Sequence, residues 1–568
     1  MPSTNRRLIA LCAAFLAAFG ILWLRCVWLQ VVDAPRLAGM ARAQYRVSQT
    51  LLAKRGTMTD RHGAVLAMSA RAPSVFANPR QVAEKAYTAD RLARLLDRDP
   101  RVIRARLAQK KGFVWVARQV EPRMAGEGLQ PFLRQGVGMM EESHRLYPSE
   151  GLASHLLGYV DIDERGLEGL ELSLNGLLRG QHGRRSTVRD ARGEWLIGPW
   201  TTEVQPTPGQ DVALTIDRVV QGVAEEALAW GVKKFHAKGG SLIVMDPQTG
   251  QLLALANQPG FDPNHPAEAS ADARRNRAIT DVFEPGSVFK IVTASALIEE
   301  GLVSPGERFF CERGAYPTVA RHVLHDHTPH GWLTFHDVIA NSSNIGTAKA
   351  AQRLKPEVLY RYIRAFGFGQ KTDVELPGEV SGMIAPPARW SKLSPYIIPI
   401  GQEVAVTPIQ LAVMAAVIAN GGWRVRPYLI DRIQRSDGTL VRQSEPSRER
   451  LLRSDTAATI SAMLVSVIES GTGRLANIQG LAVAGKTGTA QKLEPNGRYS
   501  HSRYVASFVG YGPVPDSRFV MVVTVDEPRP VYFGGVVAAP IFRRAVEHLR
   551  GYWDLNPPVG SPVLAKLP

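Results

Sequence analysis

A serine and a lysine one helical turn apart are the most reactive pair that the sequence offers. The segment 283–290 (FEPGSVFK) leads into an apolar stretch, which predicts a helix with Ser287 in its first turn. Lys290 lies three residues later and therefore on the same helix face. A buried, neutral lysine can take the proton of a neighbouring hydroxyl and make the serine a nucleophile for acyl transfer. The alternative is a serine that only caps the helix and a lysine exposed to water.

Two later segments contain groups that such a reaction needs. Residues 341–346 (NSSNIG) contain Ser-x-Asn, and residues 485–490 (GKTGTA) contain Lys-Thr-Gly on a predicted strand. We expect Ser342 to relay a proton between Lys290 and the leaving amine. We expect Asn344 to orient a substrate amide and to hold Lys290. Three motifs in this order favour a serine acyl-transfer enzyme far more than the Ser-x-x-Lys segment alone.

The Lys-Thr-Gly segment predicts a binding edge for a peptide. On an edge strand, Gly488 has no side chain that would obstruct a peptide backbone pairing as an additional strand. Lys486 supplies positive charge, and the hydroxyls of Thr487 and Thr489 can bind a terminal carboxylate. The backbone N–H groups of Ser287 and Thr489 can form an oxyanion hole.

The elements that must position these groups come from distant parts of the chain. A helix with Pro540 at an early position is predicted over residues 540–550. Alternating or apolar runs predict strands over 211–217, 241–246, 251–257, 481–489, 505–511 and 519–525. The strands lie near the two ends of the C-terminal part of the chain, and helices lie between them in the sequence. We therefore expect strands from distant segments to form one sheet.

The N-terminal segment predicts a membrane-spanning helix. Residues 8–24 (LIALCAAFLAAFGILWL) contain no charge, and apolar residues continue past Arg25 to Val32. About 20 residues span the hydrocarbon core of a bilayer. Arg6 and Arg7 precede the run and predict a cytoplasmic N-terminus with an exported C-terminal bulk. A cleaved signal peptide is the alternative, but no small-x-small cleavage site follows the run.

Composition excludes several classes of protein. Of the 568 residues, 45% are hydrophobic and 21% are charged, which excludes global disorder. With 3 cysteines the chain is not a disulfide-rich scaffold. The net charge of +16 suits contact with anionic surfaces. Since no long basic block, zinc finger or aromatic RNA-binding motif accompanies it, we expect no nucleic-acid partner.

A histidine-rich loop raises the question of a metal site. His322, His325, Asp326, His327 and His330 lie close together in the sequence, downstream of Cys311. Zinc sites use His and Cys at short spacings, but this spacing fits no zinc motif. We therefore interpret these histidines as solvated loop residues and expect no metal.

Nearly the whole chain resembles a class B penicillin-binding protein. The ordered motifs Ser-x-x-Lys, Ser-x-Asn and Lys-Thr-Gly are the signature of penicillin-binding proteins and active-site serine β-lactamases. Residues 55–67 (RGTMTDRHGAVLA) resemble the pedestal of the family, with His62 where asparagine is more usual. Residues 145–148 (RLYP) and the glycine-glutamate run at 166–171 are similar to the same pedestal.

The resemblance implies an α+β fold with a single N-terminal transmembrane helix. Its transpeptidase domain is expected to contain an antiparallel β-sheet flanked by helices, with an all-helical lobe. The expected divisions are a cytoplasmic stub (1–7), an anchor (8–32), an elongated, dimerisation-like pedestal (33–205), the transpeptidase domain (206–555) and a tail (556–568). The boundary near residue 206 rests on the prolines of the segment VQPTPGQ.

The resemblance also implies a peptidoglycan D,D-transpeptidase that needs no cofactor. Ser287 would attack the D-Ala–D-Ala bond of a stem peptide, and an amine on a neighbouring strand would then attack the acyl-enzyme. β-Lactams, which resemble D-Ala–D-Ala, would acylate the same serine. Implied partners are stem peptides, an FtsW-type glycosyltransferase of the SEDS group and other division proteins of the bacterial inner membrane. The catalytic domain would lie in the periplasm at the division site.

Several alternatives share the three motifs. A soluble β-lactamase or a D,D-carboxypeptidase usually lacks an uncleaved anchor and a pedestal, and penicillin-binding sensors differ in membrane architecture. Within the family, Asn344 favours the division-specific (FtsI) group, because elongation enzymes often carry aspartate there. An elongation- or sporulation-specific enzyme is the alternative.

Overall fold

The computed structural model describes residues 2–133, 135–189, 195–196, 198, 201–319, 322–494 and 497–555. The predicted C-terminal tail, 556–568, lies outside these described residues. The chain divides into two compact units. The first comprises Met1–Lys54 and Gly180–Pro208, and the second comprises Arg55–Arg179 and Gly209–Pro568.

Helices and strands alternate along most of the described chain. The α-helices are α1 (Pro2–Val27), α2 (Ala34–Tyr45), α3 (Lys85–Leu95), α4 (Pro100–Leu107), α5 (Ser154–Leu157), α6 (Gly169–Ser173), α7 (Asn175–Leu178), α8 (Arg218–Lys234), α9 (Ala271–Arg274), α10 (Arg277–Thr280), α11 (Lys290–Glu299), α12 (Phe335–Ala340), α13 (Asn344–Ala351), α14 (Pro356–Ala365), α15 (Ser394–Ile397), α16 (Pro408–Ala419), α17 (Ser454–Glu469) and α18 (Gly534–Leu549). The strands are β1 (Arg46–Leu51), β2 (Met58–Thr59), β3 (Val65–Ala77), β4 (Val114–Ala117), β5 (Val137–Leu146), β6 (Gly183–Arg189), β7 (Trp195–Leu196), β8 (Thr202–Val204), β9 (Asp211–Leu214), β10 (Gly239–Met245), β11 (Leu252–Gln258), β12 (Arg308–Phe310), β13 (Ala315–Pro317), β14 (Val323–His325), β15 (Trp332–Thr334), β16 (Met383–Ile384), β17 (Val404–Ala405), β18 (Trp423–Val425), β19 (Ile430–Gln434), β20 (Leu440–Gln443), β21 (Arg448–Arg450), β22 (Ala484–Leu493), β23 (Tyr499–Gly512) and β24 (Phe519–Asp526).

The first unit contains the apolar N-terminal helix. The span Thr4–Val32 is 29 residues long, none of it is buried, and it is apolar enough to cross a membrane. It joins α1 to the π-helical turn Trp28–Val32 and agrees with the predicted anchor. The same unit holds a four-stranded sheet in which β6 pairs with β1, β7 and β8.

The second unit is built around a five-stranded antiparallel sheet with the order β11-β10-β24-β23-β22. This confirms that strands from distant segments form one sheet. Helices α8 and α18 cover one face, and α11 and α16 belong to the large core on the other side. Strand β22, which carries the Lys-Thr-Gly motif, lies at the edge.

Helix α18 differs from the prediction. It begins at Gly534, so the predicted start near Pro540 is wrong, and the proline lies inside the helix. Val537 and Ala538, which precede the proline, are completely buried in the core beside the sheet. Because this packing stabilises the first turns, the helix tolerates a proline that cannot donate a backbone hydrogen bond.

A second sheet of seven strands also belongs to the second unit. Its order is β20-β19-β9-β2-β3-β4, with β5 paired to β3. Within residues 55–67, which resemble the family pedestal, β2 and the start of β3 form an antiparallel pair. Strand β9 pairs in parallel with β2, and Met58 and Leu214 share one hydrophobic core. The domain boundary expected near residue 206 stays a prediction.

Two arginines share one buried glutamate beside this sheet. Glu171 is completely buried, and its carboxylate lies 2.5 Å from Arg55 Nη2 and 2.7 Å from Arg145 Nε. The Tyr147 hydroxyl donates to the same carboxylate at 3.4 Å. We call these four residues the arginine cluster.

Candidate active site

Ser287 lies where the edge strand of the main sheet meets a helix. It belongs to a 3-10 turn, Gly286–Phe289, and the α-helix proper begins at Lys290, slightly later than predicted. Gly286 adopts φ +52°, and a Cβ there would lie 2.9 Å from the carbonyl oxygen of Thr489. A Cβ on Gly488 would lie 2.3 Å from Ser507 Oγ and 2.9 Å from the carbonyl oxygen of Pro285. Glycine at these two positions therefore lets β22 approach the serine turn.

Two fully buried lysines meet at one hydroxyl. Lys290 Nζ donates to the carbonyl oxygen of Ser342 at 2.5 Å and to its Oγ at 3.3 Å. Lys486 Nζ donates to the same Oγ at 2.9 Å. Both lysine residues are 0% exposed, and among the described residues no carboxylate forms an ion pair with either. We call Lys290, Ser342 and Lys486 the lysine cluster.

Burial changes the protonation of this cluster. Removal from water lowers the pKa of Lys290 to about 7, although the charge of Asp326 acts in the opposite direction. Burial, followed by repulsion from Lys290, lowers the pKa of Lys486 well below its usual range. A neutral amine is therefore accessible near neutral pH, as a general base requires.

Ser342, which lies between the two lysines, has an unusual backbone conformation. Its φ is +60°, in the left-handed region that non-glycine residues rarely adopt. Such a conformation persists only where surrounding contacts enforce it and is common at functional sites. The sequence gives no sign of this conformation.

A cleft of about 620 Å³ opens above the lysine cluster. It is lined by six of the eight predicted site residues, Ser287, Ser342, Asn344, Thr487, Gly488 and Thr489. The other two, Lys290 and Lys486, lie buried beneath and reach the cleft through Ser342. The structure thus brings all eight together.

Two expected contacts are not made in this structure. The side-chain nitrogen of Asn344 donates to the carbonyl oxygen of His325 at 2.8 Å. Among the described side chains, Lys290 forms no hydrogen bond with Asn344 or with Ser287 Oγ. Catalytic hydrogen bonds often tighten only when substrate is bound, so these roles stay predictions.

The histidine-rich loop has a positioning contact that the sequence reasoning missed. Asp326 accepts hydrogen bonds from Ser343 Oγ at 2.6 Å and from the backbone N–H groups of Asn344 and Ile345 at 2.5 and 3.0 Å. It therefore caps the start of α13 and fixes the Ser-x-Asn turn. No group of three or more His, Cys, Asp or Glu residues in the described part of the chain is placed to hold a metal ion.

An aromatic wall of the cleft was also missed. Tyr504 and Tyr532 stack with ring centroids 3.9 Å apart, and Phe533 packs against His327 at 4.6 Å. All four line the cleft. They come from three distant segments, so no local sequence pattern could have grouped them.

Comparison with known families decides the identity of this site. Residues 240–547 match the penicillin binding protein transpeptidase domain, and residues 50–214 match the penicillin-binding protein dimerisation domain. The chain belongs to the class B penicillin-binding proteins. Its α+β fold, with an N-terminal apolar helix, a pedestal and a transpeptidase domain, is the one expected from the resemblance.

Relatives extend along almost the whole chain. The probable peptidoglycan D,D-transpeptidase PenA of Neisseria meningitidis is 34% identical, with 95% of this chain and 92% of PenA covered. The peptidoglycan D,D-transpeptidase FtsI of Escherichia coli is 34% identical (94% and 90% covered), and the stage V sporulation protein D of Bacillus subtilis is 33% identical (95% and 84%). Penicillin binding protein 3 of Mycobacterium tuberculosis, solved with aztreonam, has a TM-score of 0.71 and 29% identity (92% and 100% covered). The protein is therefore a peptidoglycan D,D-transpeptidase.

Proposed function

We propose that this transpeptidase cross-links stem peptides at the division septum through an acyl-enzyme on Ser287. The observation that carries the chemical part is the lysine cluster, which holds two buried amines on one hydroxyl beside the serine. A buried amine that loses its proton near neutral pH can act as the base for a serine nucleophile.

In the first step, neutral Lys290 takes the proton of the Ser287 hydroxyl. The oxygen then forms a bond to the carbonyl carbon of the penultimate D-Ala. The backbone N–H groups of Ser287 and Thr489 stabilise the oxyanion. The bond to the terminal D-Ala nitrogen breaks, and Ser342 passes the proton from Lys290 to the leaving amine.

The second step reverses this order with a different amine. The amino group of a neighbouring stem peptide attacks the ester carbonyl and gives its proton to the lysine cluster. The bond to Ser287 breaks, and the serine oxygen recovers a proton. The product is a new amide between two stem peptides, and the net change is one D-Ala exchanged for one amine.

Three groups on β22 orient the donor peptide. Thr487 Oγ1 lies 2.9 Å from Thr472 Oγ1, and Thr489 Oγ1 accepts from the N–H of Gly534 at 3.0 Å. These contacts fix both hydroxyls at the cleft, where they bind the terminal carboxylate, and Lys486 lies buried beneath them with its amine on Ser342 Oγ. Since β22 is an edge strand, the donor backbone pairs with it, and Asn344 orients its amide.

The division role rests on the third residue of the Ser-x-Asn motif and on the similarity to FtsI. The N-terminal helix would anchor the protein in the inner membrane, with Arg6 and Arg7 on the cytoplasmic side and the catalytic part in the periplasm. An FtsW-type glycosyltransferase and other division proteins would be its membrane partners.

The chemical proposal is tested by mapping a penicillin adduct. We expect Ser287→Ala to abolish covalent labelling, because the hydroxyl that forms the ester is removed. Ser295→Ala is a matched control, since Ser295 lies on the helix that follows the serine turn and its hydroxyl has no hydrogen-bond partner among the described residues. An adduct mapped by mass spectrometry to another residue would end the assignment.

The division role is tested by depletion in the native bacterium. Loss of the protein should give long filaments without septa, restored by the wild type but not by Ser287→Ala. Rounded cells, or a defect confined to sporulation, would contradict the septal role and leave the chemistry intact.

A further inference from the structure

The basic charge of the chain is concentrated in one part of the pedestal. Residues 80–118 carry 11 lysine and arginine side chains but only 4 aspartate and glutamate side chains, a net charge of +7 out of +16 for the whole chain. Helices α3 and α4 and strand β4 lie in this segment, and none of its basic residues is buried. So large a positive charge in one short segment attracts an anionic partner.

The sheet that borders this segment has one packed face and one open face. Strand β3 pairs with β4 on one side and with β5 on the other. Val75, Val114 and Val137 of these strands belong to a core that includes residues of α3 and α4. Because side chains alternate along a strand, Phe76 and Met140 lie on the opposite face. Met140 is 40% exposed, so this part of the second face is open to solvent.

Three aromatic rings cover the open face. Phe76 stacks on Phe113 with ring centroids 5.1 Å apart, and Trp115 meets Phe113 edge-on at 5.1 Å. A Cβ on Gly138 would lie 2.3 Å from Cζ of Phe76, so the glycine lets that ring lie across the neighbouring strand. Phe113 is 45% exposed. We call Phe76, Phe113 and Trp115 the aromatic platform, and its rings offer an apolar surface to a flat ligand.

Positive charges border the aromatic platform. Lys110 and Lys111 lie in the turn between α4 and β4, directly before Phe113, and form no ion pair within the described part of the chain. Arg80 lies against the same turn, where its guanidinium donates to the carbonyl oxygen of Lys110 at 3.3 Å. An anionic group that approached Phe113 would therefore meet cations at the edge of the ring.

The carboxylates beside the aromatic platform do not cancel this charge. Glu142 lies 2.6 Å from Arg118, which also pairs with Asp163 at 2.8 Å. Glu141, its neighbour on β5, pairs with Arg71 at 3.2 Å. Each of these acids already has an arginine partner, so the charge that remains for a ligand is positive.

The substrate of a peptidoglycan transpeptidase has the two properties that this surface complements. Its stem peptides are attached to a glycan strand, and the sugar rings of such a strand have C–H faces that pack on aromatic rings. Each stem peptide that is not cross-linked ends in a carboxylate, so the strand is also a polyanion.

We propose that the aromatic platform and its basic border bind the glycan strand of peptidoglycan at a second site outside the catalytic cleft. Sugar faces pack on Phe113, and carboxylates along the strand pair with Lys110 and Lys111. None of these residues lines the cleft, so the strand stays bound while stem peptides exchange there. The inference goes beyond the proposed function and rests only on peptidoglycan as the substrate.

The test measures binding of a labelled, peptide-free glycan strand to full-length protein in detergent by fluorescence anisotropy. An amidase removes the stem peptides and leaves a lactyl carboxylate on each muramic acid, so the probe is a polyanion without D-Ala-D-Ala. Acylation of Ser287 with benzylpenicillin blocks the cleft beforehand. We expect the Kd to rise about tenfold in Phe113→Ala, which loses the ring contact. A similar rise is expected when Lys110→Glu and Lys111→Glu are combined, because two charge pairs are lost.

Matched variants in the catalytic part test whether the effect is local. Trp332 is 60% exposed, and Trp332→Ala should leave the Kd within about twofold. Lys371→Glu combined with Lys392→Glu makes the same change of net charge at two other exposed lysines and should also have little effect. All variants should react with benzylpenicillin at the wild-type rate, which shows that they are folded.

Four outcomes would overturn the proposal. They are no binding of the strand by the wild type, equal weakening in the matched variants, polyglutamate binding as tight as that of the strand and unaffected by Phe113→Ala, and a dimer in sedimentation that Phe113→Ala abolishes. The third would assign the surface to an acidic protein segment, and the fourth to a second copy of the chain. Failure of the wild type to react with benzylpenicillin would contradict the proposed function alone, because the peptide-free strand offers the cleft no D-Ala-D-Ala.

Discussion

The arginine cluster and the lysine cluster both bury two basic side chains against one shared group. In the arginine cluster the shared group is a carboxylate, Glu171, which contacts both guanidinium groups. In the lysine cluster it is the neutral hydroxyl of Ser342. A buried positive charge is very unfavourable unless a negative charge compensates it.

The two clusters meet this requirement in different ways. Arginine keeps its proton in proteins, so the first cluster needs Glu171. Lysine can release its proton, and burial lowers the pKa of Lys290 to about 7. A buried arginine that is paired with a carboxylate keeps its charge and stabilises the fold. A buried lysine without such a partner can lose its proton and is then available as a general base.

The largest expected effect comes from placing an arginine in the lysine cluster. Lys290→Arg keeps a positive charge but removes the amine that can become neutral. We expect the rate of acylation by penicillin to fall by several orders of magnitude, because the Ser287 hydroxyl loses its base. Stopped-flow labelling measures the rate, and thermal unfolding shows whether the variant is folded. Near-normal acylation by a folded variant would mean that another group takes the proton.

The opposite change removes the negative charge from the arginine cluster. Glu171→Gln leaves two buried guanidinium groups without a compensating charge, and we expect a loss of about 3–5 kcal/mol in the free energy of unfolding. Urea denaturation measures this loss. Molecules that remain folded should be acylated at the wild-type rate, and a slower rate would show that the two clusters are coupled.

A smaller effect is expected from pH alone. In the proposed mechanism neutral Lys290 is the base, and because its pKa is about 7, acylation should accelerate as the pH rises through about 7. Below that value the rate should fall about tenfold for each pH unit, because protonated lysine accepts no proton. The rate of penicillin acylation between about pH 5 and about pH 9 shows the transition. A rate that keeps rising toward pH 10 would indicate a lysine with an ordinary pKa.

The smallest effect is expected from Tyr147→Phe. The lost hydroxyl donates one long hydrogen bond to Glu171, so we expect destabilisation of about 1 kcal/mol or less. Acylation should not change. A loss as large as that for Glu171→Gln would mean that the tyrosine, rather than the arginines, holds the carboxylate in place.

Sequence reasoning predicted the parts of the site that local patterns encode. The three motifs, the strands β10 and β11 and the strand that carries Lys-Thr-Gly all follow from residue type and short-range alternation. The eight residues were therefore placed in one site before any distance was known.

The rest depends on long-range packing. The left-handed backbone of Ser342, the cap that Asp326 forms on α13 and the aromatic wall are set by contacts between distant segments. Helix α18 begins before its proline because buried neighbours stabilise it, which overrides a local rule. Patterns within a short window do not contain this information.

The main sheet has a consequence for synthesis. Its central pairing joins β10 to β24, the latter ending at Asp526. A ribosome makes Ser287 and Ser342 long before it makes Lys486, and the sheet closes only after β24 has emerged. The nascent protein therefore carries its serine without an assembled cleft until that strand is made, and reactivity toward penicillin begins only once β24 has joined the sheet.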